Sequence, residues 1–386
     1  MTTSCIRRAS RLRGGRRGVA IRNLWLGLAL VAACAPSDAL FGPADDPPPA
    51  PASVGATSSS ATTVTGGGAS LSGVGGHGAG AGGAGGGGGV TSEVRPSCVG
   101  LPPTCGANAT DDCCDARPVP AATFDHLGAT LSVSGFRLDR FEVTVGRFRR
   151  FVAAVVDDGW RPFPGSGRHE HVSPVGLVDD LETGWDPQWD ASLPADAAGW
   201  DAMLGCEEFG PGASTYAQWS PTPEGRETRP IGCMTWVAAY AFCIFDGGFL
   251  PTEAEWSLAA TGGQPSAHPY PWGVAAPSPA RAAYDCASDG CDRDSVAPVG
   301  THPTGAGPFG HDDLAGNVWE WTRDRFSSPF AKSNCVDCVV LQSGGSTYSA
   351  RGGGFIGPAA DMATATRATF SLPRGSGIGL RCAQSP

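Results

Sequence analysis

Twelve cysteines spread between Cys98 and Cys382 constrain this 386-residue chain more than any other feature. They remain when Cys5 and Cys34, near the start, are set aside from the fourteen present. In a chain that leaves the reducing cytoplasm, an even set of this size is read as a disulfide framework. Zinc could use the same thiolates, but oxidation outside the cytoplasm disfavours that reading. Cys286 and Cys291 are close in sequence, as are Cys335 and Cys338, and each pair can close a local loop. The run SCVGLPPTCGANATDDCC supplies Cys98, Cys105, Cys113 and Cys114, a stapled lead-in over 94–117 whose pairing the spacing leaves open.

Export is written at the start of the chain. The first 33 residues hold seven arginines and no acid, and the apolar run Leu24 to Ala33 is too short to span a bilayer, so residues 1–33 read as a signal peptide. The sequence Val31-Ala32-Ala33-Cys34 resembles a bacterial lipobox, which would make Cys34 a lipidated N-terminus; ordinary cleavage with Cys34 as a bystander is the plainer alternative. The protein is therefore expected outside the cytoplasm, as a bacterial membrane-anchored lipoprotein or a secreted protein, touching the membrane only through its lipid. Residues 34–93 are Ala, Gly, Ser, Pro and Thr, and cannot bury a core. A Gly-x-Gly-x-x-Gly pattern inside them has no strand before it or helix after it, so composition explains it. As a flexible tether of roughly 59 residues this stretch reaches about 40 Å.

Without the leader, 27 − 7 = 20 basic residues face 37 acidic ones, a net charge of −17. Nucleic acid and anionic lipid are not expected as partners. The remaining stretch, with low charge and many Gly, Pro and Trp, suits one large domain of long ordered loops, expected to be monomeric.

Local signals place its elements. In FRLDRFEVTVGRFRRFVAAV a strand is predicted from Phe136 to Val143, then a helix capped by Thr144 that buries Phe148, Phe151, Val152 and Val155. TWVAAYAFCIFDGG predicts a second helix capped by Thr235, with Trp236, Ala239, Tyr240 and Cys243 inward and a stop at Gly247 and Gly248. In LPTEAEWSLAATGG, Thr252 and Glu255 form a capping box, which gives Glu255 a structural task; read as catalytic acids, Glu253 and Glu255 compete with that explanation. Trp256 and Ala260 face inward. The sequence RHEH offers His169 and His171 around Glu170, but its Pro/Gly-rich setting predicts a solvated loop.

In this order, FRLDRFEVTVGRFRRF, LPTEAEWSLAATGG, YPWG, APVGTHPTGAGPFGHDDLAGNVWEW and ARGGGF…GIGLRC resemble the formylglycine-generating enzyme or sulfatase-modifying factor domain. The resemblance covers residues 118–384. It implies an α+β fold with little regular secondary structure, related to C-type lectins and stapled by disulfides. It also implies a bond between Cys243 and Cys382. The family's second bridge is missing, with Ala260 at one of its positions, and Cys206 with Cys233 is expected as a replacement. The family binds calcium before Gly-Asn-Val-Trp-Glu-Trp; carried over, Asp313 and Glu320 give carboxylate oxygens and Gly316 and Val318 give carbonyls, a hard donor set suited to Ca²⁺. The alternative is that Glu320 only bonds to the loop. A second family calcium site has Ala283 in place of an asparagine and is not expected. Trp321 would pack beneath the loop, while Trp319 and Arg351 would line the family's substrate groove.

Family oxidases hold copper(I) between the two cysteines of Gly-Gly-Ser-x-x-Cys-x-x-x-x-Cys. This chain reads RGGGFIGPAADM, with Gly354 at the serine, Gly357 at the first cysteine and Met362 at the second. Thiolates select copper(I), and a lone thioether is a poor substitute, so the oxidation chemistry is expected to be lost. The family's iron-dependent sulfoxide synthases draw histidines from an extra helical domain that is not expected in this chain. No Gly-x-Ser-x-Gly elbow or Cys/His couple stands out. The expectation is a calcium-stabilised module binding a peptide, protein or glycan. The competing expectations are an enzyme with a non-standard site, using Met362, Asp361 and an exogenous metal, and true formylglycine generation.

Overall fold

A computed structural model of the chain describes residues 95–169, 182–206, 216–288, 293–328, 330, 335–341, 347–371 and 377–386. The signal peptide, Cys34, the tether, Glu170, His171 and Cys291 lie outside the described residues. Those described all belong to one compact unit, Gly86–Pro386.

The unit begins with four short strands, β1 (Ala116–Val119), β2 (Ala122–His126), β3 (Ala129–Val133) and β4 (Phe136–Asp139). The helices α1 (Val145–Asp157), α2 (Ala197–Leu204), α3 (Trp236–Phe245) and α4 (Glu253–Thr261) follow. Six further strands complete it: β5 (Trp319–Arg325), β6 (Cys335–Val336), β7 (Thr347–Arg351), β8 (Ala368–Ser371), β9 (Ile378–Gly379) and β10 (Ala383–Gln384). They form three small sheets, ordered β1-β4-β10, β2-β3-β6 and β8-β7-β5-β9. Long connections between these elements make this an α+β fold of low regular content.

The predicted strand Phe136 to Val143 is shorter than the sequence suggested. β4 stops at Asp139 because the next residues leave the sheet for partners on other loops: Val143 N–H donates to Leu380 O, and Ile231 N–H to Val143 O. Thr144 then caps α1, its hydroxyl accepting from Arg147 N. Phe148, Phe151, Val152 and Val155 are buried, and Arg147 is buried beside them. Arg147 is tolerated there because Asp139 and Asp246 hold its guanidinium at 2.9 and 2.6 Å. Arg95, partly buried, pairs with the same two aspartates, which fixes the lead-in segment to the domain.

In α3, capped by Thr235, eight of ten residues are buried, so the helix is apolar on nearly every side and forms the centre of the larger core. Phe148, Phe151, Trp200, Trp321 and Tyr348 surround it, and Trp236 stacks on Tyr348 with ring centroids 3.9 Å apart. The helix ends at Phe245, before the two glycines. Gly248 is needed for a different reason, since a Cβ there would run into the Ala383 carbonyl. A smaller core joins the β2-β3 hairpin to α4 through Phe124, Leu131, Trp256, Leu258 and Leu314.

Five disulfides are described: Cys98–Cys114, Cys105–Cys113, Cys206–Cys233, Cys243–Cys382 and Cys335–Cys338. Cys286 is also disulfide-bonded. The pairings within the lead-in segment, open from sequence, are therefore Cys98 with Cys114 and Cys105 with Cys113.

Candidate functional site

The segment before β5 turns through three left-handed residues. Asp313, Gly316 and Asn317 have φ of 55°, 84° and 63°. Gly316 is required both by its φ and by space, because a Cβ would lie 2.5 Å from Ala283 O. Asn317 is anchored by its side chain, donating from Nδ2 to Glu142 Oε2 at 2.6 Å and accepting at Oδ1 from Ala297 N at 2.9 Å. Val318 N donates to the other Glu142 oxygen. This loop delivers Glu320 into β5, opposite Arg351 of β7.

Glu320 is fully buried, and its carboxylate is already engaged. Arg381 donates to its two oxygens at 2.8 and 2.6 Å, and Trp256 Nε1 donates at 2.8 Å. Asp313 Oδ2 accepts from Gly300 N at 2.5 Å, and Oδ1 lies 3.9 Å from His302 Nδ1. Burial above all, with the Asp312 and Glu320 charges, pushes the Asp313 carboxyl up to about 7. The same causes, burial first and then Asp313 and Glu320, raise Glu142 well above the ordinary carboxylate range. Of the three buried carboxylates Glu142, Asp313 and Glu320, Glu320 pairs with the Arg381 guanidinium, and the other two feel its charge only at a distance.

That imbalance is the feature a divalent cation would relieve, and hard oxygen donors fit calcium. Among the described residues no three His, Cys, Asp or Glu side chains are grouped to hold a metal by themselves. The expected calcium set therefore depends on the carbonyls of Gly316 and Val318 beside Asp313. Glu320 would contribute only lone pairs left over from Arg381 and Trp256. Glu142 was missed in the sequence, although a lone acid inside the apolar run Phe141-Glu142-Val143 is itself a sign of a buried carboxylate.

The groove floor follows β7. Gly352 and Gly353 have φ of 95° and 77°. Trp319 is half-buried, and a Cβ on Gly354 would lie 3.1 Å from its Cδ1. Met362 is 1 % exposed, in a cluster with Ala282 and Ala315 against which Tyr270, Trp272 and Tyr284 pack. At Gly357 there is no side chain, and the space a Cβ would enter is met at 2.5 Å by Asp361 Oδ2. Every described cysteine is in a disulfide. The described residues of this floor thus offer no thiolate, and copper(I) does not fit them.

Two expectations are corrected by burial. Arg351 does not line a groove: it is fully buried, donates to Glu253 Oε1 at 2.9 Å and Thr364 O at 2.5 Å, and lies over the Trp256 ring. β7 alternates its side chains, and the face that carries Arg351 turns to α4. His169 is not in a solvated loop either. It is 2 % exposed, lies tilted against the Phe249 ring with centroids 4.0 Å apart, and sits 3.6 Å from Glu182 and 3.3 Å from Glu255. Burial lowers its pKa, but the two carboxylates outweigh that and raise it to about 9. Glu255 also closes the capping box with Thr252, and Glu253 is clamped between Arg351 and Arg367. Neither acid is free for proton transfer to a substrate.

The chain is 32 % identical over 243 residues to the formylglycine-generating enzyme of Thermomonospora curvata, an overlap covering 59 % of this chain and 73 % of that enzyme. It is 28 % identical over 238 residues to a hercynine oxygenase of Mycolicibacterium smegmatis, covering 58 % of this chain but only 48 % of that protein. The structure of PvdO from Pseudomonas aeruginosa aligns with a TM-score of 0.46 at 20 % identity, covering 74 % of this chain and 99 % of that one. The profile of the sulfatase-modifying factor enzyme 1-like domain matches residues 120–386. Over that span, more than half its length, the chain belongs to the sulfatase-modifying factor enzyme 1-like domain family.

Proposed function

We propose that this protein is an exported, lipid-anchored binding module of the family that has lost formylglycine-generating oxidase chemistry and uses its groove to hold a peptide or glycan. The observation that carries the reading is the groove floor. Where the resemblance calls for two thiolates, Gly357 has no side chain, Asp361 reaches the space beside it, and Met362 is buried among alanines. Soft thiolates are what make a copper(I) site, and one enclosed thioether does not replace them. Calcium at Asp313, with the Gly316 and Val318 carbonyls, would be a structural ion that offsets the buried carboxylates under the groove. Any oxidation of the kind its enzymatic relatives' names imply would have to use different ligands.

The test is a free-thiol count and a metal analysis on the full exported chain. Bound calcium with no free thiol supports the reading. A stoichiometric transition metal, or a reduced thiol pair near Trp319, would replace it with an enzyme.

A further inference from the structure

Cys335-Val336-Asp337-Cys338 is a Cys-x-x-Cys sequence closed into a disulfide, with its Cα atoms 5.5 Å apart. The other described bridges join cysteines 8 to 139 positions apart. This one spans 3. The stabilising effect of a cross-link falls as the closed loop shortens, so this bridge contributes least to holding the fold.

The backbone around the pair is fixed by other bonds. Cys335 and Val336 form β6, in register with Leu131 and Ser132 of β3. Asp337, at a left-handed φ of 42°, donates from N to Ser132 O at 2.8 Å, and its carboxylate accepts from Ser134 N and Oγ at 2.6 and 2.7 Å. Beyond the second cysteine, Val340 N donates to Asp324 Oδ1 at 2.8 Å, and Val340 O accepts from Arg325 N at 2.7 Å. None of these bonds involves sulfur, so opening the disulfide leaves the two thiols held near each other. A dithiol held in this way closes again readily, which is what reversible exchange requires.

The pair also lies at an edge. β6 is the terminal strand of the β2-β3-β6 sheet, and Val336, inside the motif, is 51 % exposed. Cys335 and Cys338 keep 5 % and 6 % exposure, whereas Cys206, Cys233 and Cys243 have none. Zinc does not account for the motif. Two thiolates are half of a structural zinc site, and among the described residues no third His, Cys, Asp or Glu is grouped with them.

We propose that Cys335–Cys338 is a thiol–disulfide exchange centre that oxidises cysteine pairs of other exported polypeptides. The inference goes beyond the binding-module reading and does not depend on what the groove holds. A substrate thiolate attacks one sulfur of the pair; the S–S bond breaks, a mixed disulfide forms, and the other sulfur leaves as a thiolate. The substrate's second thiolate then attacks its own sulfur in the mixed disulfide and expels the protein cysteine. The substrate gains a disulfide, and its two electrons and two protons end on Cys335 and Cys338. A small-molecule disulfide of the glutathione type restores the pair by the same exchange in reverse.

The experiment mixes a catalytic amount of the full chain with oxidised glutathione and a peptide bearing two reduced cysteines, and follows the peptide disulfide by mass spectrometry. The chain is expected to raise the rate at least about tenfold over oxidised glutathione alone. Cys335→Ser/Cys338→Ser is expected to return the rate to that background with the circular dichroism of the wild type. A readout free of variant folding comes from quenching the wild-type reaction with acid and mapping the trapped adduct, with the peptide expected on Cys335 or Cys338. No acceleration by the wild-type chain, acceleration that survives in the double variant, or adducts only at other cysteines overturns the proposal.

Discussion

Glu320 shows how far a residue's role depends on its partners. In the sequence it is a calcium ligand by resemblance or a loop-bonding acid; in the structure it is first the counter-charge of Arg381, which also donates to the carbonyls of Asp139, Arg140 and Asp312. Glu320→Gln would leave a fully buried guanidinium without its anion, and a loss of about 3–5 kcal/mol is expected in denaturant unfolding. A change within error would mean that Arg381 is balanced elsewhere. His169 gives a pH test. Its protonated form is held by Glu182 and Glu255, with Arg323 and Asp324 close by, and its pKa rises from 6.5 to about 9. The folded state binds the proton more tightly, so the contribution is complete below pH 6.5 and is lost as pH rises through about 9. The denaturation midpoint is expected to fall across that window in the wild type and to be flatter in His169→Gln; identical slopes would contradict the assignment.

Among the elements, α4 carries the most information per residue. Its capping box is complete, with Thr252 Oγ1 accepting from Glu255 N at 3.1 Å and Glu255 Oε2 accepting from Thr252 N at 2.7 Å. Thr252→Ala is expected to cost about 1 kcal/mol, read as a lower denaturation midpoint. Caps and apolar periodicity made α1, α3 and α4 legible in the sequence because both are local. α2 was not anticipated, although Asp196 caps it and Gly205 ends it; its eight residues carry too little periodicity to stand out. The loop before β5 was legible only through long motifs, whereas the burial of Arg351, His169 and Glu142 was not, because each is paid for by a carboxylate, an arginine or an asparagine distant in the chain. Such compensation is a property of the packed fold and leaves no local pattern.

At the scale of the whole molecule, two disulfides of very different span make a controlled comparison. Cys243–Cys382 joins α3 to the chain end across a sequence separation of 139, and Cys335–Cys338 spans 3. In the chain-entropy model the first is worth about 5 kcal/mol and the second about 2 kcal/mol. Replacing the long-range pair by serine is therefore expected to lower the denaturation midpoint more than replacing the short one, and the reverse order would contradict that account. Function at this scale turns on whether a domain of the oxidase family can persist without the thiolate pair that selects copper. The most direct measurement is incubation of the folded, full chain with copper and O₂ and a Cys-x-Pro-x-Arg peptide, followed by assay for the aldehyde. The account predicts intact cysteine in the peptide and no stoichiometric copper(I) on the protein; formation of formylglycine would contradict it.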